Sequence, residues 1–162
     1  MKIVCDSGVD LSIDEYKALG VTVIPLKVEV DGKSYQTGVN ISPEEFYDLM
    51  DSAKNMPKTS TPSIGEIADV YRDLAKEDPN IISIHISSGL SGTWAAAKQA
   101  ATLVPEANIS VIDTLTLSAG TAWQVRAAVA LVKAKKTREE ILAHLAQIQR
   151  AVTSHFTLPD LK

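Results

Sequence analysis

The stretch Ile81-Ile82-Ser83-Ile84-His85-Ile86-Ser87-Ser88-Gly89-Leu90-Ser91-Gly92-Thr93-Trp94-Ala95-Ala96-Ala97-Lys98-Gln99-Ala100-Ala101 decides the fold. Ile81 to Ile86 is a β-branched run of strand length, and Trp94 to Ala101 is rich in strong helix formers. Serines and glycines fill the space between. A strand's C-terminal end therefore passes through a hydroxyl-rich loop into a helix's N-terminus. Free backbone N–H groups and the helix dipole favour an anion there.

The same alternation extends outward in both directions. Towards the N-terminus, Lys2 to Asp6 is a short apolar run closing on the turn signal Asp6-Ser7-Gly8. Ser12 to Leu19 reads as a helix stopped by Gly20, and Val21 to Ile24 as a strand ended by Pro25. Leu26 to Val30, Asp31-Gly32 and Lys33 to Gln36 have the chemistry of a β-hairpin. Ser42-Pro43-Glu44-Glu45 is a capping box that starts a helix running to about Lys54. Thr59-Ser60-Thr61-Pro62-Ser63 is a second hydroxyl-rich segment opening a helix, whose apolar positions Ile64, Ile67, Ala68, Tyr71 and Leu74 recur at helical spacing. Towards the C-terminus, Ile109 to Ile112 is a strand ending at Asp113-Thr114. Helices follow from Ser118 to Lys135 and, behind a capping box, from Thr137 to about Thr153. The pattern predicts an α/β fold with a mainly parallel sheet flanked by helices. Residues 1–155 read as one ligand-binding domain. Leu158-Pro159-Asp160-Leu161 reads as a helix start, so residues 156–162 are expected to begin a junction to a second domain; the other reading is a polar tail.

Composition narrows the function classes. The chain has 162 residues, 45% apolar and 22% charged, with a net charge of −4. That suits a packed domain, and the lack of a basic patch argues against nucleic acid as a partner. A single cysteine, Cys5, excludes an internal disulfide framework and fits a reducing compartment. No basic-then-apolar leader and no apolar run of about 18 residues is visible, which predicts a cytoplasmic protein without stable membrane insertion.

Three junctions carry clustered hydroxyls: Asp6-Ser7, Thr59-Ser60-Thr61, and Ser87-Ser88 with Ser91 and Thr93. Ligands of open parallel α/β sheets sit outside the carboxyl ends of the strands. Hydroxyls and helix N-termini bind carboxylate or phosphate oxygens without a metal or a basic residue. The alternative is that each hydroxyl caps its own helix, as suits Thr61 and Ser63 beside Pro62. Gly89-Leu90-Ser91-Gly92-Thr93 approaches the hydrolase elbow G-x-S-x-G, but Thr93 stands where the last glycine belongs. No Gly-Lys-Ser/Thr follows the glycines, so a P-loop is absent too. His85 reads as a packed strand histidine, and Asp6 and Asp113 as turn caps. The three scattered histidines and one cysteine make no metal motif. No catalytic residue, cofactor or metal is assigned.

These segments, in this order and closed by Val111-Ile112-Asp113-Thr114 and Phe156-Thr157-Leu158-Pro159-Asp160-Leu161, resemble the DegV family of bacterial fatty-acid-binding proteins. The resemblance covers essentially the whole chain, and Trp94 stands where the family usually has a smaller aromatic. It implies a long-chain fatty acid in a tunnel, its carboxylate near the two hydroxyl loops, presented to a separate fatty acid kinase. By motif position, Thr59 and Ser91 are the expected hydroxyl donors. The Gly92 and Thr93 amides are expected helix-end donors, with Ser60 and Ser7 as secondary contacts. Candidate tunnel walls are Ile64, Ile67, Trp94 and the helix from Ser118. The alternative is a phosphoryl-transfer or phospho-ligand-binding enzyme, because phosphate suits the same helix N-termini.

Overall fold

The computed structural model describes residues 1–37, 39–155 and 157. The β-branched runs form strands Lys2–Asp6 (β1), Thr22–Ile24 (β2), Lys27–Val30 (β3), Lys33–Gln36 (β4), Lys58–Ser60 (β5), Asn80–His85 (β6) and Asn108–Asp113 (β7). Between them lie helices Ile13–Leu19 (α1), Pro43–Ser52 (α2), Ile64–Ala75 (α3), Thr93–Thr102 (α4), Ser118–Lys133 (α5) and Arg138–Ala151 (α6), with a 3₁₀ turn at Ser7–Val9. Apart from the last residues, the expected elements form within a residue or two of their expected bounds. Of the expected junction at 156–162, all but Thr157 lie outside the described residues.

The main sheet is parallel, in the order β2-β1-β6-β7. Its strands are apolar on both faces because helices cover both. One face packs Ile3, Cys5, Ile82 and Ile84 against Val125, Ala128 and Val129 of α5 and Ile141 and Leu145 of α6. The other packs Val4, Ile24 and Ile81 against Ile67, Ala68 and Tyr71 of α3 and Ala97 and Ala100 of α4. In α3 the buried positions 67, 68 and 71 are spaced for one helix face, which fixes that face on the sheet.

A second, antiparallel sheet has the order β4-β3-β5. Its hairpin turns at Asp31 (φ 46°) and Gly32 (φ 81°), both left-handed, as a two-residue turn with the strands' twist requires. Asp31 also accepts from the backbone N–H groups of Lys54 and Asn55, fastening the end of α2 to the hairpin. One expectation is corrected here. Thr59 and Ser60 belong to a strand, not to a loop opening a helix, because Lys58–Ser60 pairs with Lys27–Glu29. The two sheets are tied at the 3₁₀ turn: Ser7 Oγ accepts from Leu26 N at 2.9 Å and lies 2.5 Å from Thr37 Oγ1.

Candidate functional site

Capping distinguishes the helix starts. Helices α1, α2, α3 and α6 each carry a full capping box, from Ser12 and Glu15, Ser42 and Glu45, Ser63 and Glu66, and Thr137 and Glu140. Their first N–H groups are thereby satisfied. Helix α4 has no such cap: Gly92 occupies the cap position with no side chain to offer. Ser91 Oγ accepts from Thr93 N at 3.2 Å and lies 2.8 Å from Thr93 Oγ1. A hydroxyl oxygen accepts two bonds and donates one. With the Thr93 O–H donating to Ser91 Oγ, the Ser91 hydrogen remains free for a ligand.

The two hydroxyl segments meet. A Cβ placed on Gly92 would sit 3.4 Å from Thr61 Oγ1, so the end of β5 abuts the start of α4. Thr59 lies two residues back, roughly 7 Å along an extended chain. Thr59 and Ser7 line a cavity of ≈ 570 Å³, within the usual size of small-molecule sites. Its wall is largely apolar, from Leu11, Ile13 and Tyr16, from Val23, Leu26 and Val28, and from Val39, Ile41, Phe46 and Tyr47. At its rim Ile13 is 51%, Val39 66% and Tyr47 63% exposed. Ser60, Ser91, Gly92 and Thr93 are not among the lining residues. The cavity therefore lies against α1, β3 and α2, and the expected wall is displaced. Ile67 is fully buried in the core under α3, Ile64 packs beside it, and neither Trp94 nor α5 lines the cavity.

Charge at the cavity is uneven. Asp10, Asp14 and Glu44 line it, and Lys27 is its one lining cation among the described residues. Lys27 Nζ contacts Glu66 at 2.7 and 3.0 Å, tying β3 to the start of α3. The Lys27 ammonium first, and the Ser63 hydrogen bonds second, push the Glu66 carboxyl down to about 2. Its folded value lies below its unfolded one, so this tether contributes at neutral pH. It is lost as pH falls from the ordinary 4.5 towards about 2. Denaturation midpoints are expected to fall across that window, and to fall less in Glu66→Gln. The effect is small because the pair is half exposed. An equally steep fall in Glu66→Gln contradicts this assignment.

Behind the hydroxyl loops lies a buried polar chain that local sequence pattern did not connect. Tyr71 O–H donates to Ser83 Oγ at 2.8 Å, and Ser83 Oγ lies 2.8 Å from His85 Nε2. His85 Nδ1 lies 3.0 Å from Asp6 Oδ2. Asp6 also accepts from Gly8 N at 2.9 Å and Ile86 N at 3.0 Å. All four side chains are buried. The expected cap at Asp6 and packed histidine at 85 are both present, joined into one network. Asp113 caps its turn as expected, accepting from Ser88 N and Leu115 N. Burial and the neighbouring Asp6 push the Cys5 thiol up, which keeps it protonated and inert.

A family model described as "Uncharacterised protein, DegV family" matches residues 1–162. The chain belongs to the DegV family. A DegV domain-containing protein of Staphylococcus aureus is 41% identical over 150 residues, 93% of this chain and 53% of that one. The structure resembles a fatty-acid-binding DegV family protein from Thermus thermophilus (TM-score 0.84, 37% identity, 92% of this chain and 53% of that one). It also resembles a stearic-acid-binding protein from Eubacterium ventriosum (TM-score 0.83, 34% identity, 90% and 52%). The chain thus spans about half the length of these relatives. The expected α/β architecture is that of this DegV domain. No helix among the described residues is long and apolar enough to cross a membrane.

Proposed function

We propose that this DegV domain is cytoplasmic, binds a long-chain fatty acid by its carboxylate and presents it, as a carrier, to a separate fatty acid kinase. The observation that carries the reading is the apolar cavity whose wall reaches Thr59, two residues from the junction of Thr61 with the uncapped start of α4. Fatty acid binding by the Thermus thermophilus and Eubacterium ventriosum proteins supports it.

The energetics divide the ligand into two parts. Each methylene buried in the cavity contributes about 0.8 kcal/mol, so the tail supplies most of the affinity. The head group supplies direction. Asp10, Asp14 and Glu44 repel a carboxylate from the α1 and α2 side. Thr59 and Ser91 then donate their hydroxyls and the Gly92 amide adds a helix-end donor, while Thr93 N holds Ser91 Oγ in place and Ser60 and Ser7 stand behind them. Exposed Thr59 and Gly92 leave the carboxylate open to a kinase, which the presentation role requires.

Titration of lipid-stripped protein with stearate tests the reading against its rival. Saturable binding of one stearate per chain is expected, with no competition from inorganic phosphate or ATP. Binding of phosphate or ATP without stearate contradicts it and favours the phospho-ligand alternative.

A further inference from the structure

We propose that Asp6 and His85 are the positioning pair of this site, one buried carboxylate and one imidazole that lock the Ser7 turn to the serine loop. The proposal rests on the fatty-acid reading above. Asp6 ends β1 and His85 ends β6, on neighbouring parallel strands. From this position the carboxylate holds the backbone on both sides of the site. Oδ1 takes Gly8 N, just past Ser7, and Oδ2 takes Ile86 N, just before Ser87. Just past the end of β7, Thr114 N and Oγ1 both donate to the His85 carbonyl, at 3.1 and 2.8 Å. The ends of β1, β6 and β7 are therefore fastened together at His85, β1 through its imidazole and β7 through its backbone carbonyl.

The two loops also touch. A Cβ on Gly8 would lie 2.9 Å from Ile86 Cγ2 and 3.0 Å from Asp6 Oδ1, so glycine is required by close approach. Ser7 is set in the cavity wall by this turn. Tyr71 O–H donates to Ser83, and with Ser83 O–H then donating to His85 Nε2 and His85 Nδ1–H to the Asp6 carboxylate, every donor in the chain finds an acceptor. That order corresponds to the Nδ1–H tautomer. Asp6, His85 and Ser83 are spaced like a hydrolase triad, but Ser83 is fully buried and already accepts from Tyr71. No substrate reaches it, so the output of the chain is geometry. Apolar side chains would fill such a sheet interior at less desolvation cost, which makes a fully satisfied polar chain a device for a unique arrangement.

Asp6→Asn tests this in the full chain, with Leu145→Ala as a control that loosens the core beneath α6 without touching the network. Asparagine keeps one acceptor oxygen where the carboxylate has two, so its N–H₂ faces either Gly8 N–H or the Ile86 and His85 donors, and one side of the clamp is lost. Asp6→Asn is expected to weaken stearate binding at least about tenfold, the loss of one charge-assisted contact's worth of positioning. Ring ¹⁵N shifts should show His85 as Nδ1–H in the wild type. Unchanged affinity, a wild-type Nε2–H tautomer, or an equal loss in Leu145→Ala at matched stability overturns the proposal. Should Asp6→Asn fail to fold, Gly8→Ala crowds Ile86 Cγ2 and Asp6 Oδ1 and so displaces the turn from the carboxylate, and the same loss is expected; wild-type affinity overturns it. If wild-type protein binds no stearate, the fatty-acid reading fails separately. The positioning claim is then read from hydrogen exchange at the Gly8 and Ile86 amides, where unchanged protection in Asp6→Asn overturns it.

Discussion

The double variant Thr59→Ala/Ser91→Ala is expected to bind stearate about 30-fold more weakly than the wild type while keeping its fold. A hydrogen bond to a charged group contributes about 1.5–3 kcal/mol, and two are removed. Thr59 is exposed and Ser91 half-buried, so water replaces part of each contact. A net loss of about 2 kcal/mol remains, which converts to roughly 30-fold. The fold survives because Thr59 sits on β5, an edge strand. Ser91 supplies only local bonds, with Thr93 N and Thr93 Oγ1, and such a cap contributes about 1 kcal/mol. Titration with stearate, beside a thermal melt, separates the two effects. Wild-type affinity in a folded double variant removes these hydroxyls from the head-group site.

Tyr71→Ala is expected to be the most damaging single substitution, destabilising the domain by about 3–5 kcal/mol. Tyr71 is fully buried between α3 and the sheet, amid Val4, Ile67 and Ile81. Alanine leaves a ring-sized void and takes the donor from Ser83. Tyr71→Phe separates the terms. It keeps the ring and loses the hydroxyl, so it should cost about 1–2 kcal/mol. Burial already pushes the phenol up to about 12, so the hydroxyl is a donor throughout the physiological range. Urea denaturation of both variants measures this. Equal losses would show that packing contributes nothing beyond the hydrogen bond.

Local chemistry made most of the fold legible. The serine loop between β6 and α4, the Asp31-Gly32 hairpin and the Ser42 and Thr137 capping boxes act within a few residues, so their patterns survive in the sequence. Strand β5 left no such trace. Lys58–Ser60 is short, polar and exposed, and becomes a strand only because Lys27–Glu29, distant in sequence, offers a free edge. Of the expected hydroxyl residues, Ser7 and Thr59 line the cavity and Ser60, Ser91 and Thr93 do not, and the wall lies elsewhere than expected. Ile64 and Ile67 have the right spacing for a helix face, but that face turns onto the sheet. The cavity wall is assembled instead from α1, β3 and α2, whose juxtaposition no local pattern reports. The bond between Asp6 and His85 was hidden for the same reason: 79 residues separate its ends.

Mass spectrometry of lipid extracted from the purified chain tests the central claim most directly. The account predicts a co-purifying long-chain fatty acid that is depleted in Thr59→Ala/Ser91→Ala. A chain recovered free of fatty acid, which also takes up none from stearate-loaded vesicles, would contradict it.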